Sequence, residues 1–507
     1  LFKKSTSVIR FLAPVLLAAA TVISGYNIYK IESKMPEIRR VAEHTTTIVP
    51  DIELSRDGQN VVVIMLDKAV SPFLPYLFQE NPELKAQFSG FVWYPNTLSF
   101  GFRTVVAAPA LFGGYDYMPD AIDDRSDELL VTKHDEALLT MPVIFSEAGY
   151  DVTVFDPPYA GYSHYPDLTV FEPYPEIKAY VTECGQFLDT AESDRKIQST
   201  WKRNFFCYSL MKASPLFMQP ILYSNGSYFA PENSGVAEQY LSDDSVRYTV
   251  SPSAMTSFCA SYNALGALSS MTKIDASSEN HFFLLQNSTA HNTIPLQEPE
   301  YAPAYVVENS DYDRSHADRF TYNGHTLDVS NQEQLAHYQC NMAAMIQLGR
   351  WLDYLKEIGV YDNTRIIIVG DHGWPLESDA DMLFLDGASE NARYNSKDAM
   401  AYNPLLLVKD FGSTGDYTVD YSFMTNADTP YLATYGLIED PVNPFTSNPI
   451  YRPDIKYSDK LYVFYTDTWS MEKNYTTFTS GGTNIWYSLS NQNIFDMSNW
   501  DEEENEP

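Results

Sequence analysis

The chain has 507 residues, 44% hydrophobic and 14% aromatic, which is enough apolar material for a large core and too much for a disordered chain. Its formal net charge of −34 excludes nucleic acid as a partner, because phosphate binding needs clustered Lys and Arg. Four cysteines without a CxxC spacing argue against a zinc knuckle or a thioredoxin-type site; they leave free thiols or disulfides open, with Cys184–Cys207 closing the shortest loop.

At the N-terminus Lys3, Lys4 and Arg10 precede a mostly apolar run from Phe11 to about Ile28. A membrane span needs roughly 20 apolar residues, and the cationic flank predicts a cytoplasmic start with everything after it outside. Residues 1–30 are expected to be a transmembrane anchor, a cleaved signal peptide being the competing reading. The chain opens on Leu1 rather than Met and is expected to be part of a longer protein. Residues 31–58 are polar, lack a sustained period and are expected to be a linker.

"NVVVIMLD" (60–67) is a continuous β-branched run ending in an acid, typical of a central strand covered on both faces. "YDVTVFD" (150–156), "HFFLLQN" (281–287), "TRIIIVGDHG" (364–373) and "NPLLLVKD" (403–410) repeat that pattern. Helical patterns lie between, over 135–150 and over 331–361. The alternation predicts an α/β fold: a mostly parallel central sheet with helices on both faces, across 59–440. Segments near 157–245 and 295–330 fit it poorly and are expected to be insertions that shape a substrate cleft. Residues 441–507 are expected to form a small β-rich subdomain with an acidic tail.

In open α/β sheets, ligands bind beyond the carboxyl ends of the strands. Asp67 ends the first run, Asp371-His372-Gly373 ends the run from 364, and His291 follows the run from 281. Two carboxylates and an imidazole on one sheet edge suit a divalent metal with oxygen and nitrogen ligands. Each also has a plainer reading: a strand-terminal Asp caps a helix or closes a turn, and a lone His is a surface or hydrogen-bonded residue. In "SFGFRTVVAAPALFGG" (99–114) a helix is expected to begin at or near Thr104. A hydroxyl there is either an ordinary N-cap or, beside a metal, a nucleophile, and the two roles are compatible. A P-loop is excluded, because no Lys follows Gly113-Gly114.

The order Asp67, "SFGFRT", His291, "YDNTRIIIVGDHG" resembles the alkaline phosphatase superfamily. Within it the chain is similar to the sulfatase-like membrane transferases, of the lipoteichoic acid synthase and phosphoethanolamine transferase type. The resemblance covers roughly 58–440 and implies one divalent metal, manganese or zinc with magnesium or calcium as alternatives, held by Asp67, Thr104, Asp371 and His372. It implies Thr104 as nucleophile and His291 as the contact to the transferred phosphoryl group or leaving oxygen; Arg103, next to the nucleophile, is a candidate phosphate partner. It further implies a membrane-anchored enzyme with an extracytoplasmic catalytic domain. Such an enzyme takes a phosphoglycerol or phosphoethanolamine group from a phospholipid donor to a surface glycan or lipid acceptor. A hydrolase using the same site, and a non-catalytic binding domain, are the alternatives. "TVVAA" replaces the C/S-x-P-x-R in which sulfatases mature formylglycine, which speaks against sulfate-ester hydrolysis by that route. Two positions depart from the transferases: Asp67 stands where Glu is usual, and Asn403 where some relatives carry His.

Overall fold

The computed structural model describes all residues except 1, 45–49, 184, 189, 224–234, 241–245, 377–397, 467–472, 479–483 and 504–506. The chain divides into two compact units, residues 1–46 with 189–234, and residues 47–188 with 235–507.

The first unit contains α1 (Phe2–His44). Its stretch Arg10–Pro36 contains an 18-residue window of mean hydropathy 1.7 and is long and apolar enough to cross a membrane. Residues 31–44, the first part of the expected linker, continue the same helix. The helix runs on because Lys, Glu, Arg and Ala are good helix formers, whether or not they build an amphipathic face. The other end of the expected linker is also ordered: Ile52–Ser55 is a strand paired in parallel with Thr272–Asp275.

The second unit is built on an eight-stranded sheet. Its strands in chain order are β1 (Asn60–Leu66), β2 (Phe91–Trp93), β3 (Asp151–Phe155), β4 (Ile177–Tyr180), β5 (His281–Asn287), β6 (Thr364–Val369), β7 (Leu406–Lys409) and β8 (Thr418–Val419). The spatial order is β8-β2-β7-β6-β1-β5-β3-β4, and β7 alone runs against the rest. β1 is central and wholly buried. Its side chains alternate between two apolar layers: Val62, Ile64 and Leu66 enter one, and Val61, Val63 and Met65 the other. Three helices matter for the site. They are α2 (Thr104–Gly113), α3 (Leu130–Glu147) and α4 (Gln332–Ile358). The Asn331 side chain starts α4 by accepting from Gln334 N at 2.9 Å, and Gly359, at φ 76°, ends it.

β4 lies inside the segment read as an insertion. Four residues are too short a run to show strand periodicity, and only pairing with β3 makes the strand visible. In the C-terminal region β9 (Leu461–Thr466), β10 (Asn484–Leu489) and β11 (Trp500–Glu503) form an antiparallel sheet that belongs to the same compact unit as the main sheet. Phe464 N donates to Phe100 O at 2.9 Å, so this small sheet grips the loop ahead of Thr104. Cys207, Cys259 and Cys340 are free thiols, while Cys184 and part of the acidic tail lie outside the described residues.

Candidate active site

The parallel pairing of β1 and β6 creates the site. Val369 is the partner of Met65, so two residues further on Asp371 and Asp67 stand side by side beyond the strand ends. One ligand atom from each of Asp67, Asp371 and His372 lies within 4.8 Å of the other two, and all three residues are buried. The Asp-His-Gly turn depends on its glycine. A Cβ on Gly373 would overlap the Met400 carbonyl oxygen and come within 2.8 Å of that of Asn403. His372 Nδ1 faces the Gly373 carbonyl at 2.7 Å and must donate its proton there, which leaves Nε2 bare toward Asp371 at 3.6 Å.

Thr104 reaches the same point from α2. Its Oγ1 lies 3.4 Å from both carboxylate oxygens of Asp67. The expected capping role does not hold: Arg103 is the N-cap, with an extended backbone and no side-chain cap bond, and Thr104 is the first helical residue. The Arg103 carbonyl takes the Val106 and Ala107 amides at 2.8 Å each. The Thr104 hydroxyl is therefore turned to the carboxylates rather than to its own backbone. Asn426 ties the two loops together by donating to Asp371 O at 3.1 Å and to Ala107 O at 3.2 Å.

These residues fit a divalent cation. Burial, and next the neighbouring Asp371, hold the Asp67 carboxyl well above its ordinary range, with Lys68 opposing. Two carboxylates so close in a buried place cannot both ionise without a positive charge between them. Asp371 Oδ1 accepts from Lys68 N at 3.1 Å, whereas Oδ2 is buried without a hydrogen-bond partner. An orphaned carboxylate oxygen beside a bare imidazole nitrogen is a donor set for a manganese- or zinc-type ion.

His291 and Arg103 border this cluster. Burial, then the charges of Lys68 and His372, push the His291 imidazole down to about 3, so its ring is neutral around pH 7. In the resting site it is therefore a hydrogen-bond donor or a base, and it donates to a leaving oxygen only after taking up a proton. Arg103 is half-buried, and its charge is felt by His291, Lys68 and His372. Together with Lys68 and the amide end of α2 it makes the rim of the metal-type cluster electropositive.

Several residues here escape sequence reasoning. Lys68 adopts φ 58° and lies over the Trp374 ring at 4.6 Å, and its ammonium is pushed down by burial. Its only sequence signal is adjacency to Asp67. His337, on α4, is buried and stacks on Trp374 at 4.3 Å, in electrostatic reach of Lys68 and His291. Tyr159 and Glu183 arrive from the segment read as an insertion; Tyr159 senses the Asp67 charge, and Asp67 senses that of Glu183. Glu183 Oε1 accepts from Ser288 N at 2.9 Å, and burial with nearby Asp156 pushes its carboxyl up to about 8. Asn403, at the position where some relatives carry His, spends its amide on the Pro95 and Thr97 carbonyls at 2.9 and 2.7 Å.

The sulfatase family model matches residues 59–408, well over half of the chain, so the protein belongs to the sulfatase family, as the motif order from Asp67 to Gly373 leads one to expect. Among solved structures it is similar to an alkaline phosphatase superfamily protein from Vibrio parahaemolyticus (13% identity, 90% of this chain and 84% of that chain, TM-score 0.40). It is similar too to the lipoteichoic acid synthase LtaP from Listeria monocytogenes (12%, 89% and 87%, TM-score 0.38). A phosphonate monoester hydrolase from Silicibacter pomeroyi also matches (14%, 86% and 87%, TM-score 0.42). No curated protein matches.

Proposed function

We propose that this chain is a metal-dependent phosphotransferase that works through a phospho-threonine at Thr104. The donor is a phospholipid, from which a phosphoglycerol or phosphoethanolamine group passes to a surface glycan or lipid acceptor. The observation that carries this reading is the meeting of a hydroxyl nucleophile, Thr104, with the Asp67–Asp371–His372 cluster where sulfatases of the formylglycine type need Cys or Ser.

Asp67, Asp371 and His372, with Thr104 Oγ1, would hold the ion, which when bound lowers the pKa of a hydroxyl and offsets charge on phosphoryl oxygens. The chain does the rest. Asp67 orients the Thr104 hydroxyl, and the amide end of α2 with Lys68 and Arg103 receives the anionic phosphodiester. Attack forms an Oγ–P bond and breaks the bond from phosphorus to the diacylglycerol oxygen; the neutral His291 ring takes the Thr104 hydroxyl proton and gives it to that oxygen, which leaves as the alcohol. The acceptor hydroxyl then attacks phosphorus, the His291 ring, neutral again, takes its proton, and that proton returns to Thr104 Oγ1 as the Oγ–P bond breaks. Water in place of the acceptor would make the same site a hydrolase. The apolar helix Arg10–Pro36 supports a membrane anchor, and Lys3, Lys4 and Arg10 on its N-terminal side support an extracytoplasmic catalytic unit.

Incubation of the protein with a labelled phospholipid, with and without a glycan acceptor, tests this reading. Label appearing on the acceptor supports transfer. Release into water at the same rate in both samples would assign a hydrolase instead.

A further inference from the structure

The segment 189–234 falls in one compact unit with the apolar helix α1 and outside the catalytic unit. It contains α5 (Thr190–Ala213) and α6 (Gln219–Tyr223). Its described part leaves large apolar side chains in solvent: Phe205 is 73% exposed, Phe206 69%, Leu216 83%, Phe217 76% and Ile221 74%. Soluble surfaces tolerate single exposed apolar residues, but a run of them marks an interaction face.

Charge says what covers that face. From 195 to 223 the sequence carries Arg195, Lys196, Lys202, Arg203 and Lys212 and no Asp or Glu, in a chain whose net charge is −34. Aromatic and aliphatic side chains interleaved with Lys and Arg are the composition of a helix that lies in a bilayer interface. A second copy is a poor occupant, because an isologous contact would bring these cations face to face. An anionic lipid surface repels the acidic remainder of the chain and attracts this segment. α1, in the same unit, is itself long and apolar enough to cross a bilayer.

We propose that α5 and α6 form a second membrane contact, seated in the interface of an anionic bilayer with Phe205, Phe206, Leu216, Phe217 and Ile221 among the lipids. This contact is independent of the reaction assigned above.

The test uses the full chain in nanodiscs of phosphatidylglycerol or of phosphatidylcholine. A photo-crosslinking p-benzoylphenylalanine replaces Phe217, or Phe205 in a second variant. Leu17 in α1 serves as reporter of the anchor, and Tyr435, 59% exposed in the catalytic unit, as reporter of bulk solvent. The expected result is a phospholipid-mass adduct at Phe217 and Phe205 and none at Tyr435. Adduct yield at Phe217 is expected to be higher in phosphatidylglycerol, and to fall about tenfold there when Lys202→Glu, Arg203→Glu and Lys212→Glu are combined. A lipid adduct at Leu17 without one at Phe217 or Phe205 leaves the anchor standing and overturns this proposal. Chain-to-chain crosslinks at Phe217 overturn it in favour of a dimer face. A yield indifferent to lipid charge and to the three substitutions overturns the anionic-surface assignment.

Discussion

Thr104 Oγ1 is equidistant, at 3.4 Å, from the two carboxylate oxygens of Asp67, although the residues come from a helix start and a strand end 37 positions apart. The hydroxyl is held by this relationship and by no cap bond of its own. Thr104→Ala removes the nucleophile and leaves the apolar packing of α2 in place. Turnover of the phospholipid is expected to fall at least about 10³-fold with the thermal midpoint little changed. Thr104→Ser keeps the hydroxyl and is expected to retain measurable turnover. Equal activity of the Ala variant and the parent would remove Thr104 from the chemistry.

The crowding of Asp67 and Asp371 predicts a metal-dependent stability. An ion that binds only the folded chain adds about 2.7 kcal/mol at a hundredfold excess over its dissociation constant. Manganese or zinc is therefore expected to raise the thermal midpoint of chelator-treated protein, and Asp371→Asn to abolish that rise. A midpoint indifferent to both ions would count against the cluster as a metal site.

Gly373 makes a purely steric prediction. A Cβ there meets two carbonyl oxygens, so Gly373→Ala must push the Asp371–His372 turn away from the Met400–Asn403 segment. A loss of about 1–3 kcal/mol in unfolding free energy is expected, together with weakened metal binding. Parent-like values of both would show that the turn has room.

A pH dependence follows from a buried group whose partners are Arg319 and Gln339 rather than the metal-type cluster. Burial pushes Glu298 up to about 7 from its ordinary 4.5, against the pull of Arg319, whose guanidinium lies 3.1 Å away. Between those values the folded chain binds more protons at this site than the unfolded chain. The contribution is thus present below pH about 4.5 and is lost as pH rises to about 7, by up to about 3 kcal/mol. Glu298→Gln is expected to flatten this part of the profile in denaturant unfolding measured at pH 5, 6 and 7.5. An unchanged slope would place the titration elsewhere.

Much of the site is legible in the sequence because strand-end chemistry survives as local pattern. The apolar runs ending at Leu66, Asn287 and Val369 are the three adjacent central strands, and Asp67, His291 and Asp371-His372 lie just past them. The side-by-side placement of Asp67 and Asp371 is not local, since it arises from a parallel register between strands some 300 residues apart. Lys68, His337 and Glu183 stayed hidden for the same reason: no spacing in the chain foretells that a helix 270 residues on brings its imidazole to Trp374 and into the reach of Lys68. The helix begins at Thr104 as its sequence leads one to expect, but the cap is Arg103, and that one residue separates a hydroxyl spent on its own helix from one turned to Asp67. At the N-terminus residues 31–58 read as a linker from their polarity, whereas backbone propensity carries α1 on to His44.

The proposed chemistry turns on a covalent phosphoryl intermediate on Thr104. Peptide mass spectrometry of protein quenched in acid during incubation with phospholipid reads it directly. A phosphodiester increment is expected on the peptide containing Thr104, equal to the head group with its phosphate, and it is expected to disappear on addition of acceptor. Turnover without any adduct on Thr104, or an adduct on another residue, would contradict it.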